Sequence, residues 1–119
     1  MEGIEYQNVI FIILTLVGVL CVALGLFLIK FPPKKINGLY GYRTSRSMQS
    51  HQAWHFSQRY SSKILTVIGI VYTILGLSSL FVPKLDDMIS ALISIVVVLS
   101  GVFVMFYKTE KQLEKRFDF

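Results

Sequence analysis

The sequence predicts an all-α integral membrane protein with three spanning helices, and three observations carry that prediction. The 119 residues are 54% hydrophobic with a mean hydropathy of +0.61. The apolar residues gather into long runs instead of alternating with polar ones, as they would in a soluble domain. Three of these runs, about 9–29, 64–82 and 89–107, contain no Asp, Glu, Lys, Arg or His. A hydrocarbon core about 30 Å thick takes roughly 20 mostly apolar residues to cross as a helix, and each run is close to that length. Backbone groups facing lipid must be satisfied within the segment, and no strand-like alternation is present, so the spans are helices and not barrel strands.

The chain opens on a short polar lead-in whose Tyr6 suits the interfacial aromatic belt. The first run is too long for a signal-peptide core, and only Glu2 and Glu5 are charged ahead of it, so a retained helix is expected. Its Cys21 is the sole cysteine and has no internal disulfide partner, which leaves it to pack as a small apolar group. Gly18 and Gly25 in the first span, Gly69 and Gly76 in the second, and Ser94 and Gly101 in the third are each seven residues apart. Two helical turns separate the members of each pair, giving every span a stripe of small residues where another backbone can approach. A compact three-helix bundle follows, and the same stripes suit a homodimer interface. Thr66, Thr73, Ser90, Ser94 and Ser100 can hydrogen-bond between helices or back to their own helix carbonyls.

Pro32 and Pro33 end the first helix, since neither has an amide hydrogen. The segment 30–63 that follows carries seven cations (Lys30, Lys34, Lys35, Arg43, Arg46, Arg59 and Lys63) and no carboxylate. Within it, Gly38 and Gly41 among Tyr40 and Tyr42 predict irregular backbone with positive φ that brings Asn37 and Arg43 together. Arg43 can take a phosphate or carboxylate bidentately, with the tyrosine hydroxyls nearby; equally, the tyrosines can be interfacial anchors and Arg43 can pair with a lipid headgroup.

From Ser47 or Ser50, either an N-cap, the positions Ala53, Phe56, Tyr60, Ile64 and Val67 recur at three and four, predicting an amphipathic helix that runs directly into the second span, with a bend near Ser61 and Ser62. Trp54 then serves as a belt residue or as a floor for the loop. His51 and His55 lie one turn apart, weak candidates for a metal, since zinc takes three or four protein ligands and no carboxylate lies between Glu5 and Asp86. No metal site and no cofactor is predicted. Asp86 or Asp87 caps the third helix. The tail, 108–119, continues that helix to Arg116 as a solvated terminal turn or two of mixed charge.

Orientation follows from the cations. The central loop and tail hold eleven of them against one, Lys84, on the opposite side, which places loop and tail in the cytoplasm and the N-terminus outside. The net charge of +5 is explained by this orientation and by attraction to anionic lipids, not by direct nucleic-acid binding. A transporter would place ionisable groups at membrane depth. A lipid-headgroup enzyme would have to assemble Arg43 and a histidine without a carboxylate. A non-enzymatic role is expected.

The string Lys35-Ile36-Asn37-Gly38-Leu39-Tyr40-Gly41-Tyr42-Arg43-Thr44, with Ser47-Met48, Ala53-Trp54 and Gln58-Arg59-Tyr60, resembles the signature of the SdpI-like immunity proteins. These are small bacterial membrane proteins carrying Asn, Gly, Arg-Thr and a later Trp between two membrane helices. The resemblance implies a multi-pass protein of the bacterial cytoplasmic membrane that protects against a secreted, membrane-active peptide toxin. Some larger members also hold a transcriptional repressor at the membrane; those have an additional membrane half, and this chain is expected to be the minimal form. Position by position the match covers Asn37, Gly41, Arg43, Thr44 and Trp54, with weaker matches at Tyr40, Tyr42 and Arg59. A structural subunit of a larger membrane complex is the alternative.

Overall fold

The computed structural model describes residues 8–117. The expectation for Tyr6, and the last two residues of the tail, lie outside that range. Three long helices make up the architecture: α1 (Val9–Lys30), α2 (His51–Ser78, extended by a 3-10 turn Ser79–Phe81) and α3 (Asp87–Arg116). Each is long and apolar enough to cross a membrane.

The ends of the helices follow from local chemistry. Asn8 caps α1 by accepting from the amides of Ile10 and Phe11, while its own amide donates to Ser79 O, so one buried side chain ties the start of α1 to the end of α2. The helix stops at Phe31, ahead of the two prolines. Ser50, not Ser47, caps α2 through the Ala53 amide, and Asp86 caps α3 through Met88. The second helix yields to a 3-10 turn and then extended Val82, because Pro83 disfavours helical geometry before it.

Successive helices run antiparallel, and α1 and α2 pack most closely. Gly18 faces Gly69 and Thr73, Gly25 faces Thr66, and Gly76 faces Thr15. A Cβ on Gly69 would stand 2.7 Å from Gly18 O and from the Val22 amide nitrogen, so the two backbones touch where both lack side chains. Thr66 and Thr73 donate to Ser62 O and Gly69 O on their own helix, both at 2.9 Å. The third stripe meets α2 differently: Gly101 receives the Tyr72 ring, whose hydroxyl donates to Val98 O at 2.6 Å. All three small-residue stripes are therefore used within the chain, and a homodimer would be built on other faces.

Two expectations are corrected. The apolar positions Ala53, Phe56, Tyr60, Ile64 and Val67 do not form one buried face: Trp54, Ser57, Gln58, Ser61 and Ser62 are buried beside Ala53, Phe56 is partly buried against the Ala53 and Leu113 cluster, and Val67 is exposed. Val67 lies in the spanning part of α2, where a large apolar side chain beside lipid gains nothing by turning inward. The tail is also no mere solvated extension: Thr109 and Leu113 are fully buried, with Leu113 in a cluster with Tyr42 and Ala53. The 30 residues of α3 reach about 45 Å at 1.5 Å per residue, well beyond the hydrocarbon core. Its last turns thus stand beside the loop and the start of α2, forming a second, polar storey on the membrane-spanning one. The outward faces of the spans, including Leu16, Leu20, Val96, Leu99 and Phe103, are exposed and apolar, as lipid contact requires.

Candidate functional site

Residues 31–50 form the loop that joins α1 to α2, and nearly every polar group in its centre is answered by another part of the chain. Asn37 organises its first half: its side-chain oxygen accepts from the amides of Leu39 (2.8 Å) and Tyr40 (2.9 Å), and its amide donates to Lys35 O. This is an Asx-type turn, which only a short carbonyl-bearing side chain can close. The Arg43 Nε donates to Asn37 O at 3.0 Å and so clips the turn shut. Gly41 has φ 102°, and a Cβ there would meet Gln58 Oε1 and Pro33 Cγ, so both conformation and space demand glycine. Gly38 was expected to share positive φ and does not; it lies in the open beside the Arg43 guanidinium.

The loop's second half is held at Tyr42. Gln58 from α2 grips its backbone with both ends of one amide: Oε1 accepts the Tyr42 N–H and Nε2 donates to Tyr42 O, each at 2.7 Å. The buried Ser47 hydroxyl accepts from the Thr44 amide and lies within reach of the Tyr42 and Thr44 carbonyls. Beneath them Trp54 is fully buried and its indole donates to Pro33 O at 2.6 Å. It is the floor of the loop and not a belt residue.

Glu110 of α3 closes the arrangement. Its carboxylate accepts from the Tyr42 hydroxyl at 2.8 Å and the Thr44 hydroxyl at 2.9 Å, and pairs with Arg46 at 3.5 Å, while Arg46 also meets Glu114 at 2.7 Å. The Tyr42 ring lies against Phe106, centroids 5.2 Å apart. Burial pushes the Tyr42 phenol well above its ordinary range, and the hydrogen bond to Glu110 adds to the shift. The neutral phenol, donating to the Glu110 carboxylate, is therefore the favoured form of Tyr42. Nearby, Arg116 stacks on Phe56 at 4.6 Å, and Phe117 meets the same ring edge-on.

Of the residues singled out in the sequence, Asn37, Gly41, Tyr42, Arg43, Thr44 and Trp54 converge in this one constellation. Tyr40 and Gly38 lie on its exposed rim, and Arg59 is exposed on α2 and takes no part in it among the described contacts. His51 and His55 are both exposed, and among the described residues no three His, Cys, Asp or Glu side chains are placed to hold a metal ion. The sequence reading names Ser47, Arg46 and Gln58 without a role in the site, and it gives Glu110 none. A signal for Glu110 existed: a loop with many cations and hydroxyls and no carboxylate must find its acid elsewhere, and the tail carries acids on the same side of the membrane.

Between the end of α1, α2, α3 and the loop opens a groove of about 810 Å³. Its walls are mostly apolar, with Tyr40 and Arg43 at the loop end.

The family model described as the SdpI/YfhL protein family matches residues 34–108. An uncharacterized protein YfhL of Bacillus subtilis (strain 168) is 36% identical over 100 residues, 82% of this chain and 82% of that protein. No solved structure matches the chain. The matched segment begins in the loop and ends two residues short of Glu110, taking in most of the loop constellation, α2 and most of α3; this multi-pass membrane chain belongs to the SdpI/YfhL family.

Proposed function

We propose that this protein is an immunity protein of the bacterial cytoplasmic membrane, protecting the cell that makes it against a secreted, membrane-active peptide toxin without catalysis. Family membership supports the immunity role. The eleven-to-one distribution of cations supports a cytoplasmic loop and tail with the N-terminus outside. The toxin then arrives on the side opposite the loop and is met within the bilayer, on the lipid-facing surfaces of the helices.

The observation that carries this division of labour is where the motif side chains spend their hydrogen bonds. Asn37, Arg43, Thr44 and Trp54 donate to groups of their own chain, and Tyr42 donates to Glu110. Such a loop braces three helices in a toxin-competent arrangement and presents a rigid cytoplasmic face. That face is also where a cytoplasmic transcriptional repressor would dock if occupancy is signalled.

The test is survival of a sensitive bacterial strain exposed to a secreted toxic peptide, with and without the protein, beside Arg43→Ala and Trp54→Ala. Protection by the parent is expected, and both variants should lose it together with membrane abundance or melting temperature. Lost protection at normal abundance and stability would make the loop a direct binding site. Absence of protection by an abundant, correctly oriented parent would instead favour a structural subunit of a larger complex.

A further inference from the structure

The groove at the loop end of the bundle has a chemistry that the bracing role leaves unused. Leu24, Phe27 and Leu28 from α1, Leu65 from α2 and Phe106 from α3 line it, and Arg43 stands at its loop end. The apolar wall belongs largely to the last turns of α1, so in a bilayer spanned by α1 the arginine stands toward the headgroup end of that span. Its Nε is committed to Asn37 O, which fixes the plane of the guanidinium and leaves the terminal nitrogens for another acceptor. Among the described residues no carboxylate pairs with Arg43. The acids that approach the loop, Glu110 and Glu114, are taken by Tyr42, Thr44 and Arg46. An apolar trough ending in a pre-oriented, uncompensated cation is complementary to an amphiphile with an anionic head.

We propose that this groove is a binding site for one anionic phospholipid of the leaflet on the loop side, with an acyl chain along the wall formed by α1 and α3 and the headgroup phosphate on Arg43. A volume of about 810 Å³ lies within the range of sites that enclose small ligands. The bound lipid fills the groove between α1, α2, α3 and the loop, and it neutralises Arg43, which among the described residues pairs with no carboxylate. Charge selects the occupant: a net-neutral headgroup offers the same phosphate but carries its own cation, which repels the basic segment 30–63, where no carboxylate occurs. The site does not depend on what the protein protects against.

The experiment is native mass spectrometry of the full chain released from nanodiscs containing phosphatidylglycerol and phosphatidylcholine in equal amounts. One phosphatidylglycerol should remain bound per chain, preferred over phosphatidylcholine by about tenfold, the lower end for a charge-assisted pair. Arg43→Gln should bring that preference to parity. Leu24→Trp, at a half-exposed position in the groove wall, should lower occupancy by either lipid without disturbing the core, and it decides the matter if Arg43→Gln fails to fold. Equal retention of the two lipids by the parent, no retained lipid, unchanged preference in Arg43→Gln, or unchanged occupancy in Leu24→Trp would each overturn the proposal.

Discussion

The two storeys of this molecule are held together by different physics. In the spans, α1 and α2 meet through glycines and threonines, backbone against backbone, and the Thr66 and Thr73 hydroxyls return to carbonyls of the same helix. At the loop end, Gln58, Ser47, Glu110 and the Trp54 indole hold an irregular backbone by hydrogen bonds across the sequence. Lipid explains the difference. Between helices in a bilayer no hydrophobic force distinguishes a helix neighbour from a lipid tail, so close fit does the work. In the polar storey water competes for every donor, so an irregular loop stays ordered only if its buried groups are answered internally.

The largest effect should come from the spans. Gly69→Val would drive a side chain into the Gly18 carbonyl, backbone that cannot move aside, and should cost at least about 3 kcal/mol, read as loss of monodisperse protein in mild detergent. Gln58→Ala tests the loop storey instead. It strands the buried Tyr42 N–H and should cost about 1–3 kcal/mol. Trypsin should then cut after Arg43 or Arg46 while the α1 and α2 pair stays intact. A single cooperative loss of the whole bundle in that variant would show that the storeys are one unit.

The smallest effect is a pH dependence. The Tyr42 phenol is held above its ordinary value of 10.0, so its protonated form belongs to the folded state. Its contribution is complete below that value and is lost as pH rises beyond it, since unfolding then releases a proton. Melting temperature should therefore fall above pH 10 more steeply in the parent than in Tyr42→Phe.

Much of the fold was legible because a bilayer leaves few choices. Apolar runs of spanning length, prolines after Phe31 and carboxylates before α3 predict three helices and their approximate ends. The loop was legible in its local chemistry, at Asn37, Gly41 and Arg43, where residues close in sequence meet. It was not legible where partners come from afar: Glu110 is 68 residues from Tyr42, and Gln58 is 16. The apolar period of α2 also misled. Phe56 does pack against the Ala53 and Leu113 cluster, but Val67 in the span faces outward, and the buried Ser57 and Gln58 are polar and carry no apolar signal.

Composition and local pattern alone point to three membrane-crossing helices, to small residues at two-turn spacing in each, and to eleven of the twelve cations in the central loop and tail. These follow from composition and local backbone preference, which act within a few residues. The packing of the helices shows what local pattern could not: the small stripes are spent within one chain, the tail supplies the acid the loop lacks, and Arg43 faces an apolar groove. Each of these depends on which helix faces meet in space, and that is set by packing among elements distant in the chain.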